Sequence, residues 1–163
     1  MVQISASLIG QRFPAISGRS LAGNEVTFPD DLSGKVTLVI VAMERSAQPM
    51  VDSWISPFRD AFAGLDGYAW YEVPVIDRKI GFFLSGMIDA GMRAGTPPAV
   101  HGSVVTVYGN TRGIMDAMGI ADRSTASAFL LDQEGIVRLR GEGYAGEEAV
   151  RAMLAAARRL AGE

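Results

Sequence analysis

The sequence contains no cysteine. This absence excludes disulfides, thiolate nucleophiles, iron–sulfur clusters and zinc–thiolate sites within the chain. A single histidine, His101, excludes any site that needs two imidazole ligands. A carboxylate-only site for Mg²⁺ or Ca²⁺ stays open, but no segment has the alternating acidic ligands of a calcium loop. We therefore expect no metal and no cofactor.

The sequence also lacks a block of charge and a long hydrophobic run. Fifteen Lys and Arg against eighteen Asp and Glu give a net charge of −3, and without a basic stripe nucleic acid is excluded as a partner. The longest apolar stretch, residues 36–43, is too short to span a bilayer. Residues 1–10 show no signal-peptide pattern. These features predict a cytoplasmic protein. The alternative is that the sequence is part of a longer protein that is exported or tethered to a membrane.

What is present is typical of a globular domain. Of the 163 residues, 48% are hydrophobic and 20% charged, and no linker or internal repeat divides them. This length buries enough apolar surface to fold without disulfides. We predict one domain over residues 1–163.

The clearest element is the β-branched run of residues 35–43, which predicts a buried central strand. Turn residues before it indicate an N-terminal hairpin around residues 21–28. After it, apolar residues at spacings of three and four predict a helix, with Ser46 as its N-cap and a kink or break at Pro57. The apolar face of this helix comprises Val51, Trp54, Ile55, Phe58 and Phe62.

The remaining elements alternate. A strand over residues 68–76 has Pro74 at an edge or end, and a helix over residues 80–94 follows it. A strand over residues 103–108 precedes a short helix between Asn110 and Gly119. A hairpin of residues 128–131 and 136–140 and a last helix, with acidic residues first and arginines last, complete the chain. The helix over residues 80–94 is expected to turn Phe83, Leu84, Met87 and Ile88 inward.

This order predicts an α/β fold with a central mixed sheet of about five strands and helices on both faces. With its β-turn-α crossover, terminal ββα unit and N-terminal hairpin, it resembles the thioredoxin-like superfamily, in the branch of peroxiredoxins and cytochrome-maturation thioredoxins. The resemblance places Ser46 and Pro49 where that branch has its cysteine pair. It places Ala126 where the facing cis-proline stands. Since proline is absent there, we expect a trans peptide bond.

Three segments carry a narrower resemblance. They are KVTLV at residues 35–39, the pairs Ser53-Trp54 and Pro57-Phe58, and FLLDQEGIVR at residues 129–138 with Gly143-Tyr144. They are similar to mitochondrial ATP-synthase assembly factors of thioredoxin-like fold, which usually lack a working cysteine pair. The resemblance implies a redox-inactive, non-catalytic binding or assembly factor. Its partner would be another protein, such as a membrane-complex subunit.

The expected contact region comprises the two segments that replace the redox site. Its loops could hold a ligand anion or a partner, or Ser46 could simply cap the helix among solvated charges. The alternative function is a glutathione-binding enzyme in which Ser46 stabilises the external thiolate. His101 is either a general base or a loop histidine without chemistry. The expected contact residues are Glu44, Arg45, Ser46, Gln48, Pro49, Thr125, Ala126 and Ser127.

Overall fold

The computed structural model describes residues 8–163, and for residues 80–85 it describes the backbone alone. Seven strands form one mixed sheet in the order β2-β1-β5-β4-β3-β6-β7. The strands are β1 Ile16–Ser20, β2 Glu25–Phe28, β3 Val36–Ala42, β4 Tyr68–Asp77, β5 Val105–Gly109, β6 Ser127–Leu131 and β7 Val137–Glu142. The helices are α1 Gln48–Phe62, α2 Arg78–Ala94, α3 Thr111–Met118 and α4 Glu147–Leu160.

Within residues 8–163 the sheet therefore has seven strands and not about five. The N-terminal hairpin β1–β2 exists as predicted, and it joins the main sheet because Arg19 pairs with Thr106 of β5. This long-range pairing leaves no local pattern in the sequence. β4 is likewise an internal strand between β3 and β5, so the expectation that Pro74 marks a sheet edge is wrong. Pro74 instead lies opposite Ala42, the last residue of β3.

Two apolar cores lie on opposite faces of the sheet. On one face, side chains of β3 and β6 pack against α1 and α4, and Trp54, Phe58 and Met153 are all at most 2% exposed. On the other face, Phe129 packs with Phe13 from the N-terminal segment and with Met118 of α3. Helices thus cover both faces, as predicted for alternating β and α elements.

The segment before β1 is tied to the start of β7. The Gly10 N–H donates to the Val137 carbonyl at 2.8 Å, the Val137 N–H donates to the Gln11 carbonyl at 2.9 Å, and the Phe13 N–H donates to the Gly135 carbonyl at 2.9 Å. Arg12 forms an antiparallel bridge with Ile136. Residues 10–13 therefore cover the outer edge of the sheet where β7 begins.

Three expectations about the helices fail. α1 runs from Gln48 to Phe62 through Pro57, so the break expected at Pro57 is absent. Ser46 is not its N-cap: a 3-10 turn, Arg45–Ala47, runs directly into the helix, and Ala47 occupies the cap position. Met87 of α2 is 73% exposed and does not face the core. Ile88 is half-buried, and the side chains of Phe83 and Leu84 lie outside the described residues.

The short helix α3 is capped as predicted, at both ends. The Asn110 side chain accepts a hydrogen bond from the Gly113 N–H at 3.2 Å, and Gly119 ends the helix in the left-handed conformation at φ 64°. Such an N-cap typically contributes about 1 kcal/mol. Asn110→Ala is therefore expected to lower the free energy of unfolding by about 1 kcal/mol in urea denaturation.

Ser46→Ala is the matched control for Asn110→Ala. The Ser46 hydroxyl caps no helical N–H, so we expect a change within about 0.5 kcal/mol, as for other surface substitutions. Equal losses of unfolding free energy in the two variants would contradict the assignment of Ala47 as the N-cap residue of α1.

Candidate functional site

The predicted contact residues meet beyond the C-terminal end of β3. Glu44 follows that strand and precedes α1, while Thr125 leads into β6, which runs antiparallel to β3 with Val41 opposite Ser127. Between the two loops, the Arg123 guanidinium lies 3.5 Å from a Glu44 carboxylate oxygen. The two segments that replace the redox site are therefore neighbours in space.

The first loop is open to solvent. Arg45, Ser46, Gln48 and Pro49 are exposed, whereas Ala47 is fully buried beneath them. The Ser46 hydroxyl donates to the Glu44 carboxylate over a long 3.5 Å. The surface thus offers a cation, a hydroxyl, an amide and a proline ring to a partner.

The second loop is held in a tight turn by Asp122. Its carboxylate accepts hydrogen bonds from the Ser124 hydroxyl at 2.6 Å, the Ser124 N–H at 2.9 Å and the Thr125 hydroxyl at 3.2 Å. These donors favour the charged form and lower the pKa of Asp122 below its ordinary value. The turn fixes Thr125, which is half-buried, beside the start of β6.

Ala126 and Ser127 point to opposite faces of the sheet because side chains alternate along a strand. Ala126 is fully buried in the same core as Ala47, and the peptide bond before it is trans, as predicted. Ser127 is 1% exposed and faces the side of the sheet that lies away from α1. Within residues 8–163 its hydroxyl has no hydrogen-bond partner. Neither side chain is available at the surface.

Sequence reasoning missed a third segment that borders this site, the loop between β7 and α4. The Trp54 indole N–H donates to the Gly143 carbonyl at 2.8 Å, and the Ser53 hydroxyl accepts from the Ala145 N–H at 2.9 Å. Between those anchors Tyr144 is 62% exposed. The Gly143 N–H also donates to the Ala126 carbonyl at 2.9 Å, which places Tyr144 beside the second loop.

A second missed residue is Glu72, a carboxyl group on the α1 side of the central strand β4. It is half-buried and accepts a hydrogen bond from Gln48, whose amide also donates to Asp52 at 3.0 Å. Burial raises the pKa of Glu72, the nearby Asp52 carboxylate raises it further, and the Gln48 hydrogen bond only partly offsets both. An acidic residue in the middle of an apolar strand was the available sequence signal.

Glu72 predicts a pH dependence of stability. Because the pKa of Glu72 is higher in the folded chain than in the unfolded chain, its ionisation opposes folding. The loss of stability begins as pH rises through the unfolded pKa, and it is complete above the raised folded pKa. Glu72→Gln removes this titration. Urea denaturation across the weakly acidic range should show a smaller loss of stability with rising pH in Glu72→Gln than in the parent chain. Parallel profiles of unfolding free energy against pH in the two chains would contradict this assignment to Glu72.

Other candidate chemistry is sparse in the described residues. Among their side chains no group of three or more His, Asp and Glu residues could hold a metal ion. His101 is half-buried in the 3-10 segment Pro98–Ser103, and its Nε2 lies 2.8 Å from the Thr96 carbonyl, a contact that stays within its own loop. In residues 8–163 no helix is long and apolar enough to cross a membrane.

Comparison with solved structures shows a thioredoxin-like fold, in agreement with the sequence prediction. A protein described as the thiol:disulfide interchange protein DsbE from Chlorobium tepidum aligns with a TM-score of 0.63 at 17% identity over 94% of this chain and 98% of that one. The thioredoxin domain of a thiol-disulfide oxidoreductase from Bacteroides vulgatus aligns with a TM-score of 0.62 at 19% identity over 91% and 97%.

A third similar structure is BsSco, a member of the Sco family of cytochrome c oxidase assembly proteins, with a TM-score of 0.62 at 11% identity over 92% of this chain and 93% of that one. No curated protein matches the sequence. A family match is found for nearly the whole chain, over residues 9–160, and that family is described as ATP10 protein. The chain therefore belongs to the ATP10 protein family.

Proposed function

We propose that this protein is a non-catalytic assembly factor that binds a subunit of the ATP synthase through the reassigned surface. We define the reassigned surface as residues 44–49, residues 122–125 and Tyr144. The observation that carries the proposal is the open loop at the redox position, which keeps its place at the end of β3 but presents serine and proline where thiols would stand. Membership of the ATP10 protein family supports an assembly role with a protein partner.

The composition of the reassigned surface supports protein binding. Tyrosine and arginine are enriched at the energetic centres of protein interfaces, and here Tyr144 is 62% exposed while Arg45 is exposed without an ion pair in the described residues. The supporting residues are rigid, because Trp54 and Ser53 hold the Tyr144 loop against α1. A rigid, partly aromatic surface binds with a small loss of conformational freedom.

The glutathione alternative has weaker support. A bound thiolate at Ser46 would meet the Glu44 carboxylate, which already accepts the Ser46 hydroxyl at 3.5 Å. The negative charge of Glu44 disfavours an anion bound at Ser46. Millimolar glutathione that binds the parent chain but not Ser46→Ala would restore this alternative.

The proposal is tested with purified ATP-synthase subunits and a photoreactive amino acid in place of Ser46, in the full chain. We expect crosslinks to one subunit, and the paired substitution Arg45→Glu and Tyr144→Ala should weaken binding of that subunit at least about tenfold, because two interface anchors are removed. Arg112→Glu, an exposed change on α3, is the control and should leave binding unchanged. Turnover of the parent chain in a disulfide or peroxide reduction assay would refute the non-catalytic role.

A further inference from the structure

Strand β4 is longer than the pairing it receives on one side. Its residues from Tyr68 to Pro74 pair in register with β3, but β5 pairs only with Val75–Asp77, and a single bridge joins Glu72 to Val104. The residues before Val104 do not continue β5 as a strand; they form the 3-10 segment Pro98–Ser103. Within the described residues, no strand therefore pairs with residues 68–71 on the β5 side.

A cavity of about 310 Å³ lies at this open stretch, and we name it the β4 cleft. Trp70 and Tyr71 both line it although they point to opposite faces of the sheet. Because Ser103, which precedes the Val104 bridge, also lines it, the β4 cleft lies next to the open side of β4. The other lining residues that matter here are Lys35, Phe58, Arg59, Phe62 and Tyr68.

The β4 cleft is lined by aromatic side chains and two cations, and the Glu163 carboxylate lies near the Tyr68 hydroxyl. Tyr68 and Trp70 are half-buried and contribute apolar surface beside Phe58 and Phe62 of α1. The charged side chains among the lining residues are both cations, Lys35 and Arg59. Arg59 is 47% exposed and its only ion pair in the described residues is a 3.7 Å contact with its neighbour Asp60, which is too exposed to neutralise it strongly.

We propose that the β4 cleft binds an extended acidic segment of a partner polypeptide, which adds as a short strand beside residues 68–71. The unpaired backbone of β4 supplies hydrogen bonds to the added strand, as in other cases of strand addition to a sheet. An apolar side chain of the segment fills the aromatic cavity. An acidic residue of the segment pairs with Lys35 or Arg59, the two cations that line the cleft.

The length of the open stretch limits the occupant. Four residues of β4 have no pairing strand on the β5 side within the described residues, and at about 3.3 Å per residue they span about 13 Å. Four or five residues of an extended chain fit this span. The β4 cleft is at the opposite end of β3 and β4 from the reassigned surface, so this proposal stands independently of the proposed function.

The probe is a fluorescein-labelled peptide DEVFVFVD, titrated into the full chain by fluorescence anisotropy, with hydrogen exchange measured on the complex. We expect saturable binding and at least about tenfold slower exchange of those amides within residues 68–71 that point away from β3, since backbone pairing protects N–H groups. Two further peptides separate the parts of the proposal. KKVFVFVK reverses the charge and DEVPVPVD removes backbone donors, and each should bind at least about tenfold more weakly.

The paired substitution Lys35→Glu and Arg59→Glu should reverse the preference between the acidic and the basic peptide. Arg112→Glu on α3 is the matched control and should leave both affinities unchanged. If the charge-reversed pair does not fold by circular dichroism, Lys35→Gln with Arg59→Gln should still reduce binding of DEVFVFVD. No binding at about 1 mM peptide, protection outside residues 68–71, or equal binding of DEVPVPVD would overturn the proposal.

Discussion

Replacing Gly141 by alanine is expected to lower the free energy of unfolding by about 3 kcal/mol, the upper range for overpacking a closed core. A Cβ atom at residue 141 would lie 2.3 Å from Cη2 and 2.5 Å from Cζ2 of Trp54. The indole is 2% exposed and its N–H is bonded to the Gly143 carbonyl. The ring must therefore move, and the buried hydrogen bond is lost with it.

Urea denaturation measures the effect of Gly141→Ala, and fluorescence identifies its cause. In a Trp70→Phe background Trp54 is the remaining tryptophan, and its emission should shift to the red if Gly141→Ala displaces the ring. Gly67→Ala is the control, because nothing lies within 4 Å of a Cβ built there. A stability change within about 0.5 kcal/mol for both variants would show that Trp54 does not pack against β7.

Phe129→Ala is expected to cost about 4 kcal/mol, as for other buried phenylalanines truncated to alanine. Phe129 is fully buried in β6, its ring meets Phe13 edge-on at 5.3 Å, and the Arg140 guanidinium lies 5.1 Å above it. The substitution leaves a cavity and removes both ring contacts. A domain of ordinary stability, about 5–15 kcal/mol, would lose a large fraction of its total.

The control for Phe129→Ala is Leu65→Ala, because Leu65 is 49% exposed and its truncation leaves no closed cavity. It should change stability by less than about 1 kcal/mol in the same denaturation experiment. Equal effects of the two substitutions would mean that the N-terminal segment does not pack Phe13 against β6 in solution.

Local patterns predicted most elements of this fold. Within the run of residues 35–43 the strand Val36–Ala42 forms, and its first six residues are buried because both faces carry apolar side chains. The turn chemistry of Asn110 and Gly119 fixes the limits of α3. Strand number depends instead on contacts between distant segments, such as Arg19 with Thr106, and periodicity carries no information about them. Met87 was misplaced because helical spacing identifies a face without showing what covers it.

The site was predictable only in part. The resemblance to the thioredoxin-like superfamily placed Ser46 and Ala126 opposite each other, and in the structure the loop after β3 and the loop before β6 are neighbours. Tyr144 could not be placed, because it reaches the site through a hydrogen bond between residues 54 and 143, which are 89 positions apart. The raised pKa of Glu72 also depends on the fold, since burial raises it and the Asp52 carboxylate of α1 approaches it across the helix–sheet interface.

The hydrogen bonds of residues 10–13 to β7 have a practical consequence for self-association. An uncovered edge strand is a template for pairing with a second copy of the same chain, and natural sheets avoid long free edges. At the other edge of this sheet, β2 has only four residues. A shortened chain that began after Phe13 would uncover the start of β7, and we expect it to aggregate at concentrations where the longer chain stays dispersed.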